Sequence, residues 1–360
     1  MEYKPELPYL RVGIQYWKIV NRPLISGDQI ETLIPWSDKV IRSDHGAASL
    51  SKIPKYDGFC NIPDHLDYKE KVGEFLNRYE PISFKPIEGK TPNFEIFLKH
   101  VFQDQYDLGL DYISLLYLRP TQQLPVLCLV SKERGTGKTT FLNILKAIFG
   151  ANMTYNKNED FRSQFNSDWA SKLIIAVDEV LLDKREDSER IKNLSTAKTF
   201  KAEAKGKDRI EGEFFGKFIL CSNNENNFIQ IDPGETRYWV IKVHPFESED
   251  VFLLDKLKSE IPAFLHLLNT RPVSTKYSTR MWFDPKLFRT PALLKVIHKN
   301  RSRIETELIQ IVCDLLEEFE LEQIEMCLND PIPFLRSSGI SYCHRSEIKE
   351  IFQTNWSISP

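Results

Sequence analysis

Ser131-Lys132-Glu133-Arg134-Gly135-Thr136-Gly137-Lys138-Thr139-Thr140 follows the apolar run Pro125 to Val130 and opens the helical pattern Phe141 to Phe149. A strand, a glycine-spaced turn and a helix in that order bring successive backbone N–H groups and a helix N-terminus to one point, an arrangement that cradles phosphate. Gly135, Thr136, Gly137, Lys138, Thr139 and Thr140 are therefore the candidate ATP-binding residues. The Lys138 ammonium can reach the β and γ phosphates, and the Thr139 hydroxyl can ligate Mg²⁺. The usual spacing has a further glycine where this chain has Lys132, so tight turning rests on Gly135 and Gly137. A Gly-Lys-Thr also begins ordinary helices, and the downstream sequence has to decide between the two.

Downstream, Lys172-Leu173-Ile174-Ile175-Ala176-Val177-Asp178-Glu179 is a buried-strand run that ends in two acids. At the carboxyl edge of a parallel sheet these acids face the glycine turn. Asp178 can hold Mg²⁺ through water and Glu179 can polarise an attacking water, because γ-phosphoryl transfer needs positioning and charge neutralisation more than covalent chemistry. A third apolar strand, Phe218 to Cys221, delivers Ser222 and Asn223. The amide of Asn223 can touch both a γ-phosphate and the water that attacks it, although Asn223 to Asn227 is also turn-forming by composition. Arg237 stands immediately before the strand pattern Tyr238 to Val243. Such an arginine is either a solvated surface residue or a guanidinium offered to a neighbouring subunit's γ-phosphate.

These four elements, in this order between Lys138 and Arg237, resemble the superfamily 3 helicases of viruses, phages and mobile elements, and more narrowly the helicase part of phage and poxvirus-type primase-helicases. The resemblance covers roughly residues 70 to 245, including Asn77-Arg78-Tyr79-Glu80-Pro81 ahead of the core. It implies an α/β phosphate-loop NTPase (AAA+-like) core with a central, mainly parallel sheet flanked by helical domains. Asn223 would be the sensor of the additional-strand class of ATPases and Arg237 a finger acting in trans. The assembly implied is a homo-hexameric ring with ATP and Mg²⁺ bound between subunits. Single-stranded or forked DNA would be its substrate, and a primase or other replication proteins its partners.

Between the acidic strand and the asparagine strand lies Lys198 to Phe215, where Ala204-Lys205-Gly206-Lys207-Asp208 reads as a tight turn showing two ammonium groups. In the resembled family a hairpin here lines the ring's channel, which makes Lys205 and Lys207 the candidate contacts to a nucleic-acid backbone. That grip is electrostatic and independent of sequence. A basic hairpin with no ligand is the plainer alternative. Phe200, Phe214 and Phe215 have spacings that fit core packing better than base stacking.

The chain has 360 residues, 41% of them hydrophobic, enough for two or three domains with a sizeable core. A net charge of −3 argues against a protein that coats nucleic acid but not against a ring, in which only the channel needs to be positive. The sequence shows no long apolar stretch or leader, so a cytoplasmic protein without membrane contact is expected. The six cysteines form no C-x-x-C pair and fit reduced thiols.

The expected organisation is an irregular α+β segment over 1–70, a helical collar-like region over 71–120, the ATPase core over 121–245 and a helical C-terminal region over 246–360. Apolar spacing turns helical from Lys69 to Tyr79, from Phe94 to Leu118 and from Val251 to Leu268. Ile304, Leu308, Ile311, Val312, Leu315 and Phe319 mark a further amphipathic stripe. Residues 331 to 354 are expected to begin a winged helix, with Ser346 capping a short helix from Glu347 to Phe352. Two other classes fit the same motifs: a defence or signalling ATPase switched by nucleotide, and a ring-forming packaging ATPase that unwinds nothing.

Overall fold

The computed structural model describes residues 6–23, 29–161, 163, 168–182, 184–202, 210–340, 342–356 and 358. The chain divides into two compact units, Met1–Ser83 with Leu118–Pro120, and Phe84–Tyr117 with Thr121–Pro360.

In the first unit, Val12 and Gln15 close a two-residue hairpin in which Gly13 takes φ +58°. A glycine at the first central position is what that turn requires. The resulting four-stranded sheet runs in the order Gln29–Trp36, Gln15–Pro23, Tyr9–Val12, Lys55–Tyr56. Alternation along Tyr9–Val12 sends Tyr9 into a cluster with Ile41 and Ile53, and Leu10 and Val12 into another with Leu76. Lys69 to Tyr79, expected as helix, instead contains the strands Lys71–Val72 and Phe75–Asn77. Val72, Phe75, Leu76 and Tyr79 fit a helical period, but Gly73 at φ +57° turns the chain back, and Gly58–Cys60 pairs with Phe75–Asn77. Non-local ladder pairing outweighs the local period.

The second unit begins with Pro92–Phe102 and Tyr106–Leu118, one expected helical stretch broken where Gln103 adopts φ +52°. Its central sheet has five strands, numbered here in chain order: β1 (Val126–Val130), β2 (Met153–Tyr155), β3 (Ile174–Val177), β4 (Lys217–Ser222) and β5 (Tyr238–Lys242). Every pairing is parallel, in the order β5-β1-β4-β3-β2. Both faces of a parallel sheet are covered, which is why β1, β3 and β4 are buried throughout and read as continuous apolar runs. The architecture is α/β, with a central parallel sheet flanked by helices.

This order sets β4 between the strand that feeds the glycine turn and the strand that ends in acids. Val177 pairs with Leu220, and Ser222 pairs with Val130, so β1, β3 and β4 end side by side. Open parallel sheets bind ligands in the crevice at such carboxyl ends.

Thr199–Ala202 pairs antiparallel with Ile210–Glu213, the two strands expected to flank the basic turn. Lys205 and Lys207 lie outside the described residues. Phe200 packs on Phe214 and Trp169, with Phe214 and Trp169 buried, so these rings are core. All six cysteines are free, Cys128 and Cys221 being buried in β1 and β4.

Beyond β5, Leu253–Thr270 and Pro291–Lys299 are helical, and Leu293, Val296 and Ile297 of the latter join the buried cluster of the central sheet. Arg303–Glu318, capped by Ser302, packs with Pro331–Ser337 and Arg345–Glu350 around Leu308, Leu335 and Ile348. The cap of Arg345–Glu350 is His344 rather than Ser346, through a reciprocal capping box with Glu347, and a π-helical turn, Ile351–Asn355, follows. Among the described residues no β-strand follows Lys242, and the segment expected to begin a winged helix holds two short helices, Pro331–Ser337 and Arg345–Glu350, and the π-helical turn. No helix among them is long and apolar enough to cross a membrane.

Candidate functional site

The turn after β1 is shaped by two glycines in the left-handed region, Gly135 at φ +64° and Gly137 at φ +87°. Gly137 also lacks room for a side chain: a Cβ there would lie 3.0 Å from the Phe246 ring and 3.1 Å from that of Phe97. It is the N-cap of the helix Lys138–Phe149 and makes no side-chain capping bond, which leaves N–H groups of the first turn free to meet an anion.

Lys138 is buried and its Nζ donates to Thr136 Oγ1 at 3.1 Å. Burial pushes this ammonium below its ordinary value, against the opposing charges of Asp178, Glu133 and Glu225. Thr139 Oγ1 donates to Asp178 Oδ2 at 2.9 Å, joining the glycine turn to the end of β3. The two oxygens are a donor set for a hard cation. Mg²⁺ is commonly held by one or two carboxylates plus substrate phosphates, and among the described residues no cluster of three acids, histidines or cysteines offers a self-sufficient metal cage.

Glu179 is exposed and takes φ +61°, a left-handed backbone rare for a residue with a Cβ. The strain is held on both sides: Val180 N–H donates to Cys221 C=O at 2.7 Å, and Ser222 Oγ donates to Val180 C=O at 2.9 Å. Asn223 follows, exposed at the end of β4. Ser131 N–H bonds Ser222 C=O at 3.1 Å and completes the stitching of the three strand ends. Lys138, Thr139, Asp178, Glu179 and Asn223 are thus brought to one edge.

Arg237 is not. It precedes β5, whose first residue Tyr238 pairs with Val126, the first residue of β1, so it sits at the sheet's amino edge. One guanidinium nitrogen contacts both oxygens of Glu235, at 3.0 and 2.9 Å, and Lys192 reaches the same carboxylate at 3.4 Å. The length of β1, ~16 Å at about 3.3 Å per residue, separates Arg237 from its own glycine turn.

Two features of the site escaped the sequence reading. Glu225 is buried within the asparagine turn; it accepts from the Lys132 N–H at 3.2 Å and pairs with Lys242 at 3.1 Å and Lys295 at 3.3 Å. Burial works to raise its carboxyl, but hydrogen bonds from Lys242, Lys132 and Lys295 hold it below its ordinary value. It secures the turn at the position where the expected glycine is missing. The second feature is a brace from outside the core: His100 Nε2 lies 3.1 Å from Thr136 O, stacks on Phe246 at 3.9 Å, and Phe246 N–H bonds Gly135 C=O at 3.3 Å. The only sequence trace of either was an acid inside a run of asparagines.

The fold and this edge define an α/β protein with an all-parallel central sheet and, at one crevice, a glycine turn, an adjacent hydroxyl–carboxylate pair and a strained acid. A family of unknown function (DUF5906) matches residues 129–237, from β1 through Arg237. Over 220 residues, 58% of the chain, the sequence is 25% identical to a DNA primase-polymerase of Nitratiruptor phage NrS-1, and the match spans 30% of that protein's length. The apo structure of the NrS-1 C-terminal region superposes with a TM-score of 0.64 at 16% identity, covering 98% of this chain and 88% of that one. An A-form apo structure of the same region gives 0.63 at 17% identity with the same coverage. At these identities the structures establish a shared fold.

Proposed function

We propose that this chain is an ATP-dependent DNA helicase, an NTPase that translocates on single-stranded DNA in the replication of a phage or mobile element and works as a homo-hexameric ring. The observation that carries the reading is the Thr139–Asp178 contact at 2.9 Å beside Lys138. It sets a hydroxyl and a carboxylate where a triphosphate on the glycine turn would need its Mg²⁺. The similarity to a phage primase-polymerase supports the replication setting, and a primase or other replication protein is the partner expected.

In this reading the turn's N–H groups and Lys138 would bind the β and γ phosphates, and Thr139 and Asp178 would hold Mg²⁺, which would supply charge neutralisation at the phosphate oxygens. Glu179 orients a water whose oxygen bonds to the γ phosphorus as the bond to the bridging oxygen breaks. ADP leaves with that electron pair, and the water's proton passes by way of Glu179 to the products. Asn223 contacts the γ-phosphate and the water. Arg237, remote from its own turn, serves the turn of a neighbouring copy, and Lys205 and Lys207 hold the strand.

The test is strand displacement on a forked duplex. Wild type unwinds with ATP, Lys138→Ala loses nucleotide binding and unwinding together, and Lys205→Ala with Lys207→Ala flattens the log-affinity against log-salt slope by about 1.4 per engaged subunit. ATP hydrolysis with no displacement and no stimulation by single strands would instead support a nucleotide-switched ATPase, or a ring-forming packaging ATPase if rings assemble.

A further inference from the structure

Arg237 shares a small recess with a second arginine, Arg280, at the amino edge of the sheet. Thr236, Thr279, Met281, Phe283 and Phe288 supply most of the remaining wall, and no carboxylate lines it. The recess, about 50 Å³, is far below the several hundred cubic ångströms of a site for a whole small molecule, and suits a single anionic group.

Arg280 is displayed by a turn that is unusually well held. Trp282 N–H bonds Thr279 C=O at 2.8 Å, and Thr279 Oγ1 donates to Phe283 C=O at 2.8 Å. Trp282 takes φ +74°, strained for an aromatic residue, and its indole donates to Thr275 Oγ1 at 3.1 Å. Gln122 Nε2 fixes the carbonyl of Arg280 itself at 2.8 Å. Further back, the fully buried Asp111 receives Arg271, Ser274 and Thr275, which anchors the segment to the helix Tyr106–Leu118. All this ordering presents an exposed guanidinium that makes no hydrogen bond or ion pair among the described residues. Nearby Arg237 is already answered by Glu235.

We propose that Arg280 is a second phosphate-contacting arginine, acting beside Arg237 on the γ-phosphate of a nucleotide held by the glycine turn of another copy of this chain. The inference rests on the proposed function and deepens it. Its own turn is out of reach, because the recess lies at the opposite end of β1. An arginine already pinned at its backbone gives up less freedom on meeting a planar phosphate face than one on a free loop. The two guanidinium groups then divide the work: the Glu235-held Arg237 is fixed in direction, and the unpaired Arg280 brings the uncompensated charge.

The test uses the full chain with ATP and single-stranded DNA. Arg280→Ala should lower kcat by at least about tenfold, the value of one lost charge-assisted hydrogen bond, with the KM for ATP and the melting temperature unchanged. Arg280→Lys should recover part of the loss. Mixing Arg280→Ala with Glu179→Gln subunits should restore activity, because some interfaces then combine an intact acid with an intact arginine. An unchanged kcat overturns the inference, as does an absence of rescue in confirmed mixed rings. Weaker single-strand binding with a salt slope flattened by about 0.7, and normal DNA-free turnover, would overturn it by assigning Arg280 to a nucleic-acid phosphate. If Arg237→Ala is silent as well, the trans reading of the proposed function falls; if only Arg280→Ala is silent, this inference alone falls.

Discussion

The two edges of the central sheet are built in opposite ways. At the carboxyl edge the charged and polar groups answer one another across strands, Thr139 with Asp178, and Glu225 with Lys242 and Lys295. The backbone there is held in left-handed conformations at Gly135, Gly137 and Glu179. At the amino edge Lys217 is buried with its Nζ donating to Phe215 C=O at 2.6 Å, Arg237 is held by Glu235, and the exposed Arg280 guanidinium makes no hydrogen bond or ion pair among the described residues. One edge has its polar groups tied to one another within the chain. The other answers one arginine within the chain and leaves the second exposed, as the proposed contact with another copy requires.

The sharpest way to break this contrast is to disable one group at each edge. Arg237→Ala is expected to keep nucleotide affinity and lose hydrolysis by roughly 10³-fold or more, and Glu179→Gln to bind nucleotide and lose turnover by ~10²–10⁴-fold. Equilibrium nucleotide titration beside steady-state hydrolysis separates binding from turnover. Mixed together, the two variants should regain partial activity; no rescue with mixed rings present would place Arg237 in cis or on an idle surface.

A smaller effect is expected in stability against pH. Burial pushes Lys217 down to about 7, while its amine in the unfolded chain titrates near 10.5. The unfolded state therefore binds the extra proton between those values, so the destabilisation is full below about pH 7 and is relieved as pH rises toward 10.5. Lys217→Met loses the bond to Phe215 C=O but also the pH dependence, so its stability relative to wild type should fall by up to ~1.4 kcal/mol per pH unit as pH rises across this window, read from denaturant melts. A constant difference from pH 7 to 10 would show that Lys217 keeps its proton in the fold.

The third test returns to the cradle. Gly137→Ala must adopt φ +87° and press a methyl group against Phe246 and Phe97. A loss of roughly 1–3 kcal/mol in stability is expected, with nucleotide binding weakened in parallel. Gly212→Ala, where a Cβ meets nothing within 4 Å, is the matched control and should cost less. Equal losses at both positions would remove the strain argument for the carboxyl edge.

Much of the cradle was legible because its chemistry is local. Gly137-Lys138-Thr139 after an apolar run, and Asp178-Glu179 ending another, carry their meaning within a few residues, since a buried parallel strand must be apolar along its length and must release its polar groups at its end. The helix period likewise found Leu253–Thr270 and Arg303–Glu318 to within a few residues, and the outer bounds but not the break at Gln103 of the pair Pro92–Phe102 and Tyr106–Leu118. Lys69 to Tyr79 failed the same method, because the spacing that suits a helix also suits a hairpin once Gly73 turns and a third strand is present to pair with it. The cap at His344 was missed for a related reason: Ser346 has the better capping chemistry, and the reciprocal bond with Glu347 chose the start two residues earlier.

By itself the sequence determined which residues have the right chemistry and that they follow strands, because backbone periodicity and turn stereochemistry act over short distances. Tertiary structure alone decided that β4 lies between β1 and β3, so that Asn223 stands between the glycine turn and the acids. It also recruited Glu225, Lys242 and Lys295 from three separate elements and set Arg237 and Arg280 together at the far edge. Strand order and the pairing of buried charges are set by contacts between residues tens to more than a hundred positions apart, and no local pattern in the chain encodes them.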